Sequence, residues 1–136
     1  MGRLDLLYED LTYQIRGILY IVHNYLGRYR SEKQYCDAIE YGFKKRCLHY
    51  EREKRLSINF VGEKMGRNRV DFLIENKIIL EVKVTRSLSK NVYHQCMRYL
   101  VNGDKRLLLL VNFYPESLFI KRILSPKDKS VNQNYQ

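Results

Sequence analysis

Apolar side chains at positions 4, 7, 8, 11, 15, 18, 19, 22, 25 and 26 recur at three- and four-residue intervals. That spacing lines them along one side of a helix, so an amphipathic helix is predicted from Leu4 to Leu26, with Gly27 as its stop. Ser31, followed three residues later by Gln34, has the form of a capping box. It opens a second helix to about Cys47, with an inward stripe of Tyr35, Ala38, Ile39, Gly42 and Phe43. After the charged stretch KKRCLHYEREKRL the period changes. LSINFV, residues 56–61, alternates apolar and polar positions and predicts a strand, and RVDFLIENKIILEVKV reads as two strands turning around Asn76. A third helix, about Leu88 to Val101, ends at NGD. RLLLLVNF is a continuous apolar run suited to a strand covered on both faces, and SLFIKRIL suits a last strand near an edge.

The order is therefore helix, helix, three strands, helix, two strands, an α+β arrangement in which a mixed sheet is flanked by helices. Residues 1–124 are expected to form one domain. From Ser125 to Gln136 the chain is polar and aperiodic, which predicts a disordered tail. A chain of 136 residues with 45% hydrophobic content can bury a core of its own. Its 25 Lys and Arg against 15 Asp and Glu give a formal charge of +10, which favours an anionic partner such as nucleic acid. Three cysteines without CxxC spacing predict neither a disulfide framework nor a zinc knuckle. The three histidines, His23, His49 and His94, are too widely spaced to suggest a zinc site. With no signal-like leader and no run of roughly 18 apolar residues, a cytoplasmic, non-membrane protein is expected. The cations are spread over strands and loops, which disfavours a membrane-surface helix.

Within IENKIILEVKV, Glu81 and Lys83 lie two apart and so share one face of their strand, while Leu80, Val82 and Val84 take the other. Asp71 joins that face on a condition. A three-residue connection, Glu75-Asn76-Lys77, sets Asp71 directly across from Glu81, whereas a two-residue turn puts them on opposite faces. Two apposed carboxylates repel unless a cation lies between them, and an oxygen-only pair suits Mg²⁺ or Mn²⁺. Such a site can activate water against a phosphodiester, with Lys83 offsetting charge that develops on the phosphate.

Asp71 and, after nine intervening residues, Glu81-Val82-Lys83 resemble the D…ExK core of the PD-(D/E)XK nuclease superfamily. More closely, LTYQIRGILYIVHNYLG, SEKQYCDAIEYGF, VDFLIENKIILEVKV, HQCMRYL and LLLLVNF look like the GxxExxY proteins within it, over about Leu11 to Leu124. The naming motif would fall on Gly27, Glu32 and Tyr35, across a longer and more basic loop, and Val70 replaces the superfamily's proline. The resemblance implies a restriction-endonuclease-like αβββαβ core with an extra N-terminal helix, and metal-dependent hydrolysis of DNA. It implies a site of Glu32, Asp71, Glu81 and Lys83, with Asp71, Glu81 and Glu32 on the metal and Gln95 as the polar residue of the third helix. Small nucleases of this superfamily often dimerise to cut two strands, so the resemblance also allows a homodimer.

Other residues read more plainly. Tyr35 is expected to pack against the sheet and His23 to sit at the edge of the core. Charge runs are usually solvated faces, but the basic run continues to Arg67 and Arg69 while Arg86, Lys90 and Arg98 flank the proposed site, and these five are candidates for phosphate contact. GEKMGRNR has glycines and cations without a P-loop pattern, and is expected to connect two strands. The rival reading is a nuclease-fold protein that binds nucleic acid, or serves as an accessory subunit, without cutting.

Overall fold

The computed structural model describes residues 6–128. Helices α1 (Glu9–Leu26) and α2 (Glu32–Lys45) precede strands β1 (Tyr50–Arg55), β2 (Arg69–Ile74) and β3 (Ile78–Lys83). Helix α3 (Lys90–Asn102) then leads to β4 (Leu107–Asn112), β5 (Phe119–Leu124) and a 3-10 turn, Pro126–Asp128. The strands form one mixed sheet in the order β1-β2-β3-β4-β5. Only the β3–β4 pair is parallel, because α3 carries the chain back across the sheet between them. Every residue of β4 is buried, as a central strand covered on both faces requires. Helices α1 and α2 cover one face, packing Ile15, Leu19, Ile39 and Phe43 on Phe72, Leu80 and Leu109. Helix α3 covers the other with Cys96, Tyr99 and Leu100 against Leu73, Ile79, Leu108 and Leu110. No helix among the described residues is long and apolar enough to cross a membrane.

The predicted element order and fold class hold, with three departures. The first helix begins at Glu9, after a left-handed Tyr8, and Leu4 lies outside the described residues. The first strand is Tyr50–Arg55, within the charged stretch, and not residues 56–61. Its alternation is polar: Arg52 Nη1 bonds Asp37 (2.7 Å) and Glu40 (2.9 Å) of α2, and the Tyr50 hydroxyl donates to Glu40 (2.7 Å). An edge strand that faces a charged helix flank in this way needs no apolar stripe, so apolar periodicity missed it. Ser125, the expected start of the tail, is buried; its N–H donates to the Arg106 carbonyl (2.9 Å) before the short turn, and residues 129–136 lie outside the described region.

Gly42 of α2 lies against Ile18 of α1, where an added Cβ would stand 2.7 Å from the Ile18 Cγ2 methyl. Ile18 is β-branched and buried, so that methyl has little room to move. Alanine gains about 1 kcal/mol in helix propensity, but overpacking costs about 1–3 kcal/mol. Gly42→Ala is expected to lower the unfolding free energy in the wild-type background and to raise it in an Ile18→Ala background. Denaturant unfolding of the four proteins measures the coupling, and a stabilising Gly42→Ala in the wild type would refute close packing there.

Candidate active site

Ile74 pairs with Ile78, so Glu75, Asn76 and Lys77 form a three-residue turn, with left-handed φ at Glu75 (53°) and Asn76 (55°). The register Phe72 against Leu80 then sets Asp71 across from Glu81. The regular ladder stops there, and side chains take over its hydrogen bonds. The Asp71 N–H donates to Glu81 Oε1 (2.9 Å), and the Val82 N–H donates to Asp71 Oδ2 (2.7 Å). On the other flank of β2 the ladder also lapses: Arg52 pairs with Phe72 and Lys54 with Val70, while Glu53, facing Asp71, has a left-handed φ of 52°. Such a backbone in a non-glycine residue costs on the order of 1–3 kcal/mol. Val70 correspondingly packs on the α3 side with Leu73, although strict alternation would set it with Phe72.

Glu32, Asp71, Glu81, Lys83 and Gln95 all line one cavity of about 270 Å³. Lys83, the last residue of β3, donates from Nζ to Gln95 Oε1 (3.3 Å) on α3. Glu32 is the first residue of α2, a helix opened by the predicted capping box: Ser31 Oγ accepts from the Gln34 N–H (3.2 Å), and the Ser31 N–H donates to Gln34 Oε1 (2.9 Å). The loop before it is framed by Tyr35, which is fully buried, stacks on Phe113 at 4.1 Å and donates its hydroxyl to the Gly27 carbonyl. Gly27 has φ 77° and ψ −153°, a conformation that suits glycine. The spacing Gly27, Glu32, Tyr35 thus has a structural meaning: the outer two residues bridge the loop that presents the middle one. His23 lies at the core edge as expected, with Nε2 3.1 Å from the Pro115 carbonyl.

The predicted cations separate. Arg69 lines the cavity, Arg67 and Arg98 line a neighbouring groove, and Arg86 and Lys90 are exposed around the start of α3. Lys33, Cys36, Arg52, Glu53 and Tyr99 also line the cavity, and sequence reasoning assigned none of them to it. Cys36 carried a usable signal, since it lies four residues after Glu32 on the same side of the helix, whereas Lys33, the next residue, did not.

Glu81 is only 4% exposed, and its carboxyl is pushed up to about 8, first by burial and then by the Asp71 charge, against the Asp71 N–H and Lys83. Asp71 is also raised, chiefly by burial, with the Val82 N–H and Lys83 opposing. Burial likewise raises Glu32, and pushes the Cys36 thiol up to about 12, so the cavity wall there is a neutral thiol.

A buried and a half-buried carboxylate that resist joint ionisation fit a hard divalent cation, since each commits one oxygen to a main-chain N–H and keeps the other. Among the described residues no three His, Cys, Asp or Glu side chains are gathered as metal ligands, while Glu32 lines the same cavity as Asp71 and Glu81 and its charge interacts with both. One or two carboxylates with waters completing the shell is an ordinary arrangement for Mg²⁺.

A carboxyl whose folded pKa exceeds its unfolded value favours the folded state when protonated. For Glu81 that contribution is full below about 4.5 and is lost as pH rises through about 8. Melting temperatures in EDTA are therefore expected to fall between about pH 5 and about pH 8 and to level off above, and Glu81→Gln to flatten the decline and be the more stable protein at the upper end. Parallel profiles for the two proteins would mean that Glu81 is already charged throughout.

A model of the PD-(D/E)XK nuclease superfamily matches residues 9–123, from the first residue of α1 to the penultimate residue of β5. The solved structure of SSO0001 is similar over 98% of this chain and 80% of its own, with a TM-score of 0.53 and 21% identity. The alkaline exonuclease LHK-Exo from Laribacter hongkongensis is similar over 97% of this chain and 77% of its own, with a TM-score of 0.51 and 10% identity. At such identities the likeness concerns the fold. No curated protein matches the chain. With the family match spanning the whole sheet and all three helices, the chain belongs to the PD-(D/E)XK nuclease superfamily.

Proposed function

We propose that this protein is a nuclease that hydrolyses DNA phosphodiester bonds with the help of Mg²⁺ or Mn²⁺ held by Asp71 and Glu81. The observation that carries the reading is the carboxylate pair across the hairpin, Glu81 buried and Asp71 half-buried, opening into the same cavity as Lys83 and Gln95. The chemistry an ion supplies there is polarisation of a phosphate oxygen and acidification of a water.

The chain's own groups do the rest. Lys83 offsets the negative charge that grows on the non-bridging oxygens during attack. Gln95 spends its Oε1 on Lys83, which leaves its amide N–H groups to donate to a phosphate oxygen or to hold the water. Glu32, in the same cavity, would complete the ion's oxygen ligands from helix α2. Arg69 tracks the phosphate at the cavity mouth, with Arg67, Arg98, Arg86 and Lys90 along the approach. The net charge of +10 supports an anionic polymer as substrate. The proposal extends to the GxxExxY group, supported by the Gly27–Tyr35 bridge around Glu32. It also extends to a homodimer where both strands of a duplex are cut, and to a cytoplasmic setting.

A second reading, a nuclease-fold protein that binds nucleic acid without cutting it, is favoured by the hydrogen bonds that turn both carboxylates onto main-chain N–H groups. Cleavage of labelled single-stranded, duplex and branched DNA with Mg²⁺ or Mn²⁺ separates the two. The wild type is expected to cut only with the metal, and Lys83→Ala to cut on the order of 10²–10³-fold more slowly. Asp71→Asn is expected to abolish cutting while retaining DNA binding in EDTA. No cutting by the wild type, with DNA binding intact, would establish the second reading.

A further inference from the structure

The loop from Leu56 to Asn68 holds four exposed apolar side chains, Ile58, Phe60, Val61 and Met65. Phe60 is 62% exposed and Val61 fully so. The loop is nevertheless tied down. The Leu56 N–H donates to the Asn68 carbonyl (2.7 Å) and closes the base. Glu63 accepts from the Asn59 N–H and from Asn68 Nδ2 (both 2.9 Å), and Arg98 Nε donates to Asn68 Oδ1 (3.3 Å) from helix α3. Gly62 (φ 99°) and Gly66 (φ 89°) supply the two left-handed turns. A loop held open with its apolar side chains outward gains nothing from them in the free protein, and exposed apolar groups of this kind mark an interaction site.

The neighbourhood indicates the partner. Phe60 lines a groove with Lys64, Arg67 and Arg98, while the acid there, Glu63, is occupied by the loop's own donors. Among the described residues, Lys64 and Arg67 have no ion pair or side-chain hydrogen bond. An aromatic face beside unpaired cations is the arrangement that stacks a base and holds the adjoining phosphates. The groove also adjoins the carboxylate cavity: Asn68 and Arg98 line the first, and their chain neighbours Arg69 and Tyr99 line the second.

We infer that this loop binds unpaired DNA, with Phe60 stacked on a base and Val61 wedged beside it, and delivers a single strand to the Asp71–Glu81 cavity. The inference rests on the nuclease reading for the delivery, but the binding does not depend on cutting. A duplex presents its bases only by unstacking, so blunt duplex gains little from Phe60 while a single strand gains the full contact.

The chain has no tryptophan, so Phe60→Trp gives a single reporter in the loop. In EDTA, a thymidine oligonucleotide is expected to quench its fluorescence and a blunt duplex to leave it unchanged. Phe60→Ala with Val61→Ala is expected to weaken single-strand binding about tenfold, with duplex binding unchanged, while Phe60→Tyr retains wild-type affinity. Both positions are exposed, so melting temperatures should match the wild type and exclude a folding defect. Equal losses for both DNA forms, no quenching, or quenching by a second copy of the protein in the absence of DNA would each overturn the inference. Because EDTA prevents metal-dependent cleavage, a chain that binds in this way but cuts nothing would fail the nuclease reading alone.

Discussion

Asp71 and Glu81 each give one carboxylate oxygen to the main chain of the opposite strand, and this reciprocal pair is the constraint from which the site follows. A carboxylate that accepts a main-chain N–H is held in direction, and two held in this way converge on the same space. Burial raises both carboxyls, and at Glu81 the charge of Asp71 adds to it. The hairpin can accommodate the pair only because β2 leaves the regular ladder on both flanks at Asp71. The left-handed Glu53 and the turned Val70 are the local cost of that departure.

The surrounding layers bring the other groups to this point. Asn112, buried at the end of β4, accepts from the Thr85 and Tyr114 N–H groups (3.1 and 3.2 Å) and donates to the Thr85 carbonyl (2.8 Å). It fixes the chain just after Lys83, and the short segment to Ser89 then starts α3 where Gln95 meets the lysine. On the other side Phe113, the next residue, stacks on Tyr35, and Tyr35 holds Gly27. One end of β4 thereby connects the positions of Lys83, Gln95 and Glu32 through buried contacts. Glu32 gains its place from a capped helix start, where an acid is also favoured by the helix dipole. Its structural and chemical roles are compatible.

The two faces of the molecule differ in how much they depend on packing. The core is built from full burial of apolar side chains and would tolerate volume-conserving exchange. The site depends on a few polar contacts with little redundancy: one hydroxyl on Gly27, one amide on Lys83, one main-chain N–H for each carboxylate. The loop that carries Phe60 joins this end through Arg98 and Asn68, so α3 supports the cavity and the loop together.

Much of this was already legible in the residue order. Helix periodicity, the Ser31–Gln34 box and the apolar run of β4 fixed the elements, because each depends on neighbours close in sequence. Residue order left two registers open for the hairpin, and only the pairing of Ile74 with Ile78 set Asp71 across from Glu81. Other features depended on contacts between distant segments. Polar β1 is a strand because Asp37 and Glu40 of α2 meet Arg52 and Tyr50, which no apolar pattern announces. The division of Arg67, Arg69, Arg86, Lys90 and Arg98 among cavity, groove and open surface could not be read from charge, since charge gives no direction. The arrival of Glu32 in the same cavity as the carboxylate pair was likewise decided by how α2 docks on the sheet. Sequence determined what is local and periodic; only the tertiary structure decided which polar groups meet, because a hydrogen bond forms by distance in space and not along the chain.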